Sequence, residues 1–219
     1  MNLFQITLKP YAIIPEKYQQ KWKSMYTDLS YKIYSDDISL KFIKDNFDTN
    51  YQLAFENGFS KWKADLLRFC LLNQYPGLYV DVDMTPETNI FYYIPTDVDF
   101  VSSIGAFCYT LGKKEIQIAL LLARSPEPLL KDFMDSIGPS VVSTGEPYSV
   151  NIAGSYSFCC KCFDVDTLEA FKVYTFKNRK YYFLKEVEVF NKGKREFKIV
   201  TENNVTIINS QALKHGKFM

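Results

Sequence analysis

Residues 60–86 read SKWKADLLRFCLLNQYPGLYVDVDMTP. The segment 66–72 is apolar almost all round, apart from one arginine, and this pattern is typical of a buried helix. Pro76 and Gly77 end that helix, and the apolar run at 78–80 predicts a strand. The order therefore places a buried helix directly before a short buried strand that ends in two acids.

Helix and strand patterns alternate on both sides of this segment. We predict further strands at 3–8, 31–34, 100–104 and 116–122, and further helices after Pro15, after Ser35 or Asp36, and at 128–136. Short β-rich runs at 181–190, 196–200 and 205–208, separated by turn signals, predict antiparallel hairpins. We expect a single catalytic domain over 1–219: an α/β sandwich with a largely parallel central sheet and C-terminal antiparallel hairpins.

Two parts of this prediction are more specific. In the second helix we expect Ile38, Phe42 and Ile43 on the inner side. The run 140–165 fits either helix or strand, and its assignment stays open.

Composition narrows the class of protein. The formal net charge is +1, which gives no basis for nucleic-acid binding. No signal peptide and no apolar run of membrane-spanning length are visible, so we expect a cytoplasmic protein without a transmembrane segment. Cys159 and Cys162 have C-x-x-C spacing, but no second pair follows, so we do not expect structural zinc.

Asp81 and Asp83 are the acids at the end of the predicted strand. Because strand side chains alternate, we expect both carboxylates on one face, just before a Thr85-Pro86 turn. Two adjacent carboxylates repel unless a cation lies between them or one is protonated. Open α/β sheets bind ligands at the carboxyl ends of strands, and hard oxygen ligands favour Mg²⁺ or Mn²⁺. The alternative is a pair of solvated loop acids.

Asp65 and Arg68 are the charged residues in the otherwise apolar helix. They are three residues apart and hence neighbours on one face. Buried charges need partners, so one interpretation is an internal salt bridge that only stabilises the fold. The other is that the pair faces a cleft and binds sugar hydroxyls. The two acids that follow the next strand favour the cleft.

The segments ADLLRF at 64–69 and YPGLYVDVDMTP at 75–86 closely resemble the signature of the DXD sugar transferases. That family includes the yeast initiating α-mannosyltransferases, bacterial capsule sugar transferases and the large clostridial glucosylating toxins. Pro76 replaces the first glycine of the family's Gly-Gly pair. The resemblance covers about residues 3–135 and is strongest over 60–86.

The resemblance implies a GT-A-like, Rossmann-type sandwich. It also implies a metal-dependent transferase that takes a sugar from a UDP- or GDP-sugar and passes it to a glycan or a protein-linked glycan, with retention of configuration. The implied cofactor is Mn²⁺ or Mg²⁺, coordinated directly by Asp83 and contacted by Asp81. Asp65 and Arg68 would hold hydroxyls of the donor sugar.

Three more residues acquire roles by the same resemblance. Asp37 falls near a family position that contacts the nucleoside. The tryptophan that stacks on the base in the family is absent near Thr7, and Tyr11 is the substitute. His215, the only histidine, matches the C-terminal histidine that completes the metal shell in many GT-A enzymes; the alternative is a surface histidine.

Other functions remain open on the same fold. One is a metal-dependent nucleotide-sugar hydrolase or nucleotidyl-transfer enzyme, and another is a non-catalytic carbohydrate-binding protein. The presence of four charged residues in one predicted site favours an active enzyme over a protein that has lost its catalytic activity. Short relatives of this kind are typical of bacterial surface-polysaccharide pathways and of large DNA viruses.

Overall fold

A computed structural model describes residues 1–9, 13–58, 60–105, 115–125, 127, 130–131, 134, 163, 167–191 and 194–210. Its helices are α1 Glu16–Met25, α2 Asp36–Asn46, α3 Thr49–Asn57 and α4 Ser60–Gln74, and a short 3₁₀ helix spans Ile90–Tyr92. Its strands are β1 Asn2–Ile6, β2 Ser30–Tyr34, β3 Gly77–Val80, β4 Met84–Pro86, β5 Phe100–Gly105, β6 Glu115–Ala123, β7 Val173–Phe176, β8 Arg179–Asn191, β9 Lys194–Val200 and β10 Thr206–Ser210.

The strands of the described residues form one mixed sheet in the order β2-β1-β3-β6-β5-β8-β9-β10-β4, with β7 beside β8. The α/β class is confirmed, and so are the C-terminal antiparallel pairs β8–β9 and β9–β10. Parallel pairing is confined to β1 with its neighbours β2 and β3, and to β5 with β8. The sheet is less parallel than expected because β6 runs antiparallel between β3 and β5.

Apolar clusters cover both faces of the sheet. On one face α4 packs on β1 and β3 through Leu67, Phe69, Phe4 and Tyr79. On the other, α1 contributes Trp22 to a second cluster. Every residue of β3 is buried, as expected for a central strand covered on both faces. This continuous burial fixes the place where the chain leaves β3.

Gly77 opens β3 because β1 passes very close to it. A Cβ at this position would lie 2.4 Å from the Phe4 ring and 2.9 Å from the Asn2 carbonyl. Pro76 before it has no N–H to satisfy, and its carbonyl accepts from the Asn2 amide at 3.1 Å. The proline that replaces a family glycine is therefore compatible with the β1–β3 contact.

Several local predictions need correction. Ile38 is 52% exposed, because the buried stripe of α2 runs through Ser39, Phe42 and Ile43 instead. The predicted turn at 85–86 is strand β4, since it pairs with β10. Helix α3 and strand β7 were not predicted. Most of 128–136 and nearly all of 140–165 lie outside the described residues.

Candidate functional site

The acidic segment follows β3 at the carboxyl edge of the parallel strands. The Asp81 amide donates to the Ala119 carbonyl at 2.9 Å, and the Met84 amide donates to the Asp81 carbonyl at 3.1 Å. The chain therefore reverses in what we name the Asp81–Met84 turn. Strand alternation stops at Val80, so the expected common strand face for the two acids is wrong. The negative charge of Asp81 still raises the pKa of Asp83, because both acids lie in this turn.

Arg68 joins the helix to this turn. Its guanidinium contacts the Asp65 carboxylate at 2.7 Å and the Asp81 carboxylate at 3.3 Å. It also donates to the Ile118 carbonyl at 2.8 Å. The side chains of Asp65 and Arg68 are each only 6% exposed, whereas that of Asp81 is 31% exposed. The predicted salt bridge thus exists, and the arginine extends it to the acidic turn.

Tyr79 is a site residue that the sequence reasoning missed. Its hydroxyl donates to the Asp81 carboxylate at 2.5 Å, and its ring lies under the Arg68 guanidinium at 4.7 Å. Burial raises the pKa of Tyr79 well above its ordinary value, so the hydroxyl remains a donor. The available signal was position, because Tyr79 stands two residues before Asp81, and the Asp81 amide still pairs with Ala119 of β6 directly after the strand.

Gln5 is a second missed residue. It is fully buried in β1 among apolar neighbours. Its amide nitrogen donates to the Asp81 carbonyl at 3.2 Å, and its amide oxygen accepts from the Tyr31 hydroxyl at 2.5 Å. A polar residue inside an apolar strand was the available signal, because buried amides require partners.

The surroundings of Asp83 disfavour its charged form. Burial raises its pKa to about 7, and the negative charge of Asp81 adds to the effect. A main-chain hydrogen bond and the positive charge of Arg68 lower the pKa less than these terms raise it. Such a carboxylate gains more from a nearby cation than an ordinary solvated one.

The remaining predicted residues divide into two groups. Asp37 is exposed in the first turn of α2, at the same sheet edge. Its neighbour Asp36 accepts from the Lys9 amide at 2.9 Å and so ties this helix to the loop after β1. Tyr11 and His215 lie outside the described residues.

The donor set suits a hard cation only in part. Among the described residues, no three His, Cys, Asp or Glu side chains come together to hold a metal. Asp81 and Asp83 supply hard oxygens, although one Asp81 oxygen already contacts Arg68 and Tyr79. Two carboxylates fit Mg²⁺ or Mn²⁺ if phosphate oxygens and water fill the other positions, as is usual for Mg²⁺.

Comparison with known families adds an independent observation. Residues 15–105 match the family described as the glycosyltransferase sugar-binding region containing DXD motif. The matched range contains Asp65, Arg68, Asp81 and Asp83. Over this range, a little under half of the chain, the protein is similar to DXD-type glycosyltransferases. The resemblance noted from the sequence is thereby confirmed.

Three similar solved structures are distant in sequence. PaToxG glycosyltransferase is 16% identical with a TM-score of 0.49, over 72% of this chain and 66% of that one. The apo-form glycosyltransferase GlyE of Streptococcus pneumoniae TIGR4 is 12% identical with a TM-score of 0.42, over 72% and 41%. Mouse xyloside xylosyltransferase 1 is 12% identical with a TM-score of 0.29, over 65% and 73%. The chain thus spans just under two thirds of the first structure and less than half of the second.

A search of curated proteins gives no match. In the described part of the chain, no helix has the length and apolarity needed to cross a membrane.

Proposed function

We propose that the protein transfers a sugar from a UDP- or GDP-sugar to a glycan or protein-linked glycan, with Mn²⁺ or Mg²⁺ as cofactor. The observation that carries this proposal is the line of charges Asp65–Arg68–Asp81, which ends beside Asp83 at the carboxyl edge of the sheet. A salt bridge that only stabilised the fold would not need a further acid with a raised pKa. The family match over 15–105 supports the same function.

Each residue has a distinct task in this proposal. Asp83 would bind the divalent cation directly, and Asp81 would bind it through its second oxygen or through water. The bound metal would neutralise charge on the departing nucleoside diphosphate. Asp65 and Arg68 would hold sugar hydroxyls, which fixes the anomeric carbon while positive charge develops on the ring. We propose retention of configuration.

The nucleoside and the third protein ligand of the metal belong to the same proposal. Asp37 and Tyr11 would contact the nucleoside. Strand β10 ends at Ser210, which pairs with Met84 directly after Asp83. Five extended residues reach at most about 17 Å, so His215 can return to the metal from that point. We propose His215 as a further metal ligand on this topological basis.

A binding titration tests the proposed function. Wild-type protein should bind UDP-glucose, UDP-N-acetylglucosamine or GDP-mannose with Mn²⁺ present, and EDTA should abolish most of that binding. We expect Asp83→Ala to weaken donor binding roughly a hundredfold and His215→Ala roughly tenfold, since each removes a metal ligand. Asp97→Ala, at an exposed acid on the opposite sheet edge, is the matched control. Unchanged donor affinity in EDTA would contradict the proposal.

The products separate transfer from hydrolysis. With an acceptor glycan present, mass spectrometry should show the glycan gaining one sugar while free nucleoside diphosphate accumulates. Free sugar as the sole product at every acceptor concentration would instead indicate a hydrolase.

A further inference from the structure

Gln5 directly follows the last register pair of β1 with β3. The ladder between these strands runs through Asn2–Gly77, Leu3–Leu78 and Phe4–Tyr79. The register pairs end there, and one residue further along β1 the side chain of Gln5 donates to the Asp81 carbonyl. A side-chain amide therefore continues the contact between β1 and the chain after β3, directly at the acidic turn.

The orientation of this amide is fixed by chemistry. A main-chain carbonyl can only accept, so the nitrogen of Gln5 must face Asp81. The amide oxygen then faces Tyr31, whose hydroxyl donates to it. Burial, and secondarily the negative charge of Glu16, raise the pKa of Tyr31 above its ordinary value, which keeps that proton in place. Tyr31, Gln5 and Asp81 thus form one hydrogen-bonded line across β2, β1 and the end of β3.

This line restrains the Asp81–Met84 turn from the side opposite to β6. The Asp81 amide is bound to Ala119 on β6, and its carbonyl accepts from both Gln5 and the Met84 amide. Its carboxylate is held separately by Arg68 and Tyr79. Gln5 contributes the restraint on the main chain from β1, and within the described part of the chain its side-chain hydrogen bonds go to the Asp81 carbonyl and to Tyr31.

We propose that Gln5, oriented by Tyr31, is a positioning residue that holds the Asp81–Met84 turn in the geometry needed for binding the metal and the donor diphosphate. The proposal rests on the function proposed above for Asp81 and Asp83. Gln5 would act through the main chain of Asp81 and not as a ligand of the metal or the sugar. Residues that orient metal ligands in this manner typically change metal affinity 10- to 100-fold when they are replaced.

Two nearly isosteric variants of Gln5 test the role. Gln5→Met removes both hydrogen bonds but keeps the volume, and Gln5→Glu turns an oxygen toward the Asp81 carbonyl. We expect each folded variant to bind Mn²⁺ together with UDP or GDP about 10- to 100-fold more weakly than wild type. Tyr31→Phe should lose less, because the Gln5–Asp81 bond remains.

Gln19→Met is the matched control. Gln19 also donates its amide to a main-chain carbonyl, that of Ile14 at 2.8 Å, but it lies on α1. Its replacement should leave metal–nucleotide affinity unchanged. Equal affinity in Gln5→Met and wild type would overturn the positioning role.

A ligand-free measurement separates this proposal from the proposed function. The Met84 amide closes the turn, so its hydrogen exchange reports on the turn directly. We expect exchange at Met84 to be at least tenfold faster in Gln5→Met, with no change in Gln19→Met. If wild type binds no metal–nucleotide complex, the proposed function fails. If Met84 exchange is unchanged in Gln5→Met, the positioning role fails.

Discussion

At the scale of single residues, the raised pKa of Asp83 links its protonation to stability. The folded protein holds this proton up to a pH of about 7, whereas the unfolded chain releases it near 3.8. Between these values the folded state binds more protons than the unfolded state. The contribution of Asp83 to stability is therefore present at low pH and is lost as the pH rises through about 7.

We predict that Asp83→Asn stabilises the metal-free protein at pH 8. Allowing for partial exposure of the site, the gain should be roughly 1–3 kcal/mol, and it should vanish near pH 4. Denaturant unfolding in EDTA at both pH values measures it. Adding Mn²⁺ should stabilise wild type and leave the variant almost unaffected. Identical unfolding curves for wild type and variant at pH 8 would show that the charge of Asp83 does not destabilise the folded protein.

Asp65 and Arg68 allow the two sequence interpretations to be separated by mutation. Arg68→Leu strands two carboxylates, one of them buried, and should cost about 3–5 kcal/mol of unfolding free energy. Asp65→Asn keeps the shape and an oxygen toward Arg68, so we expect a loss of about 1–2 kcal/mol. If the pair also holds the donor, Asp65→Asn should weaken UDP-sugar binding at least tenfold while UDP binding stays near wild type. Calorimetric titrations with the UDP-sugar and with UDP distinguish the two interpretations. Equal losses of affinity for both ligands would favour a purely structural bridge.

At the scale of elements, a second charged cluster joins strands at the opposite edge of the sheet. Arg179, at the start of β8, contacts Glu127 at 3.1 Å and Asp99 at 3.3 Å. Glu127 is almost completely buried and also accepts from the Tyr181 hydroxyl at 3.0 Å. All of these groups have protein partners and lie far along the strands from the acidic turn. Their arrangement indicates a structural link between β5, β8 and the chain after β6.

Adjacent residues give a direct test of this link. Arg179→Leu leaves Glu127 as a buried charge and should destabilise the protein by about 3–5 kcal/mol. Lys180 follows immediately and pairs with Asp97 in an exposed position, so Lys180→Leu should leave the stability nearly unchanged. Urea unfolding of the two variants provides the comparison. A larger loss for Lys180→Leu than for Arg179→Leu would contradict the structural assignment.

The elements also show what the sequence could predict. Most strands and helices follow from apolar periodicity, but strand direction does not. Only residues 106–114 separate β5 from β6, and parallel strands need a crossover of a dozen or more residues. That short connection was an unused signal for the antiparallel pair. The turn at Asp81–Met84 carried no such signal, because Val82 continues the apolar alternation and the partner carbonyl of Ala119 is distant in sequence.

The site was predictable to the extent that it is local. Asp65 and Arg68 are one helical turn apart, so their contact follows from spacing. The contacts of Arg68 and Gln5 to Asp81 depend on α4 and β1 both packing against β3, which periodicity does not specify. Asp37 and His215 took their roles from the resemblance alone, and their part in binding stays a prediction.

At the scale of the whole molecule, the site depends on both ends of the chain. The matched family region covers 15–105, yet β4, which leaves the acidic turn, pairs within the described residues only with β10. Thr85 also donates its hydroxyl to the Asn209 carbonyl at 3.3 Å. The C-terminal strands, which lie outside the matched range, are therefore part of the support for the acidic turn.

That pairing sets an order for folding. Thr85 and Asn209 are 124 residues apart, so their contact closes a long loop. Closing this loop reduces the conformational entropy of the chain before the burial of apolar surface can offset the loss. We expect β4 and β10 to pair late, after the more local contacts of the sheet have formed. During synthesis the acids leave the ribosome well before the strand that braces them. A chain stopped short of residue 209 would thus display Asp81 and Asp83 on an unbraced edge, which is prone to pairing with other chains.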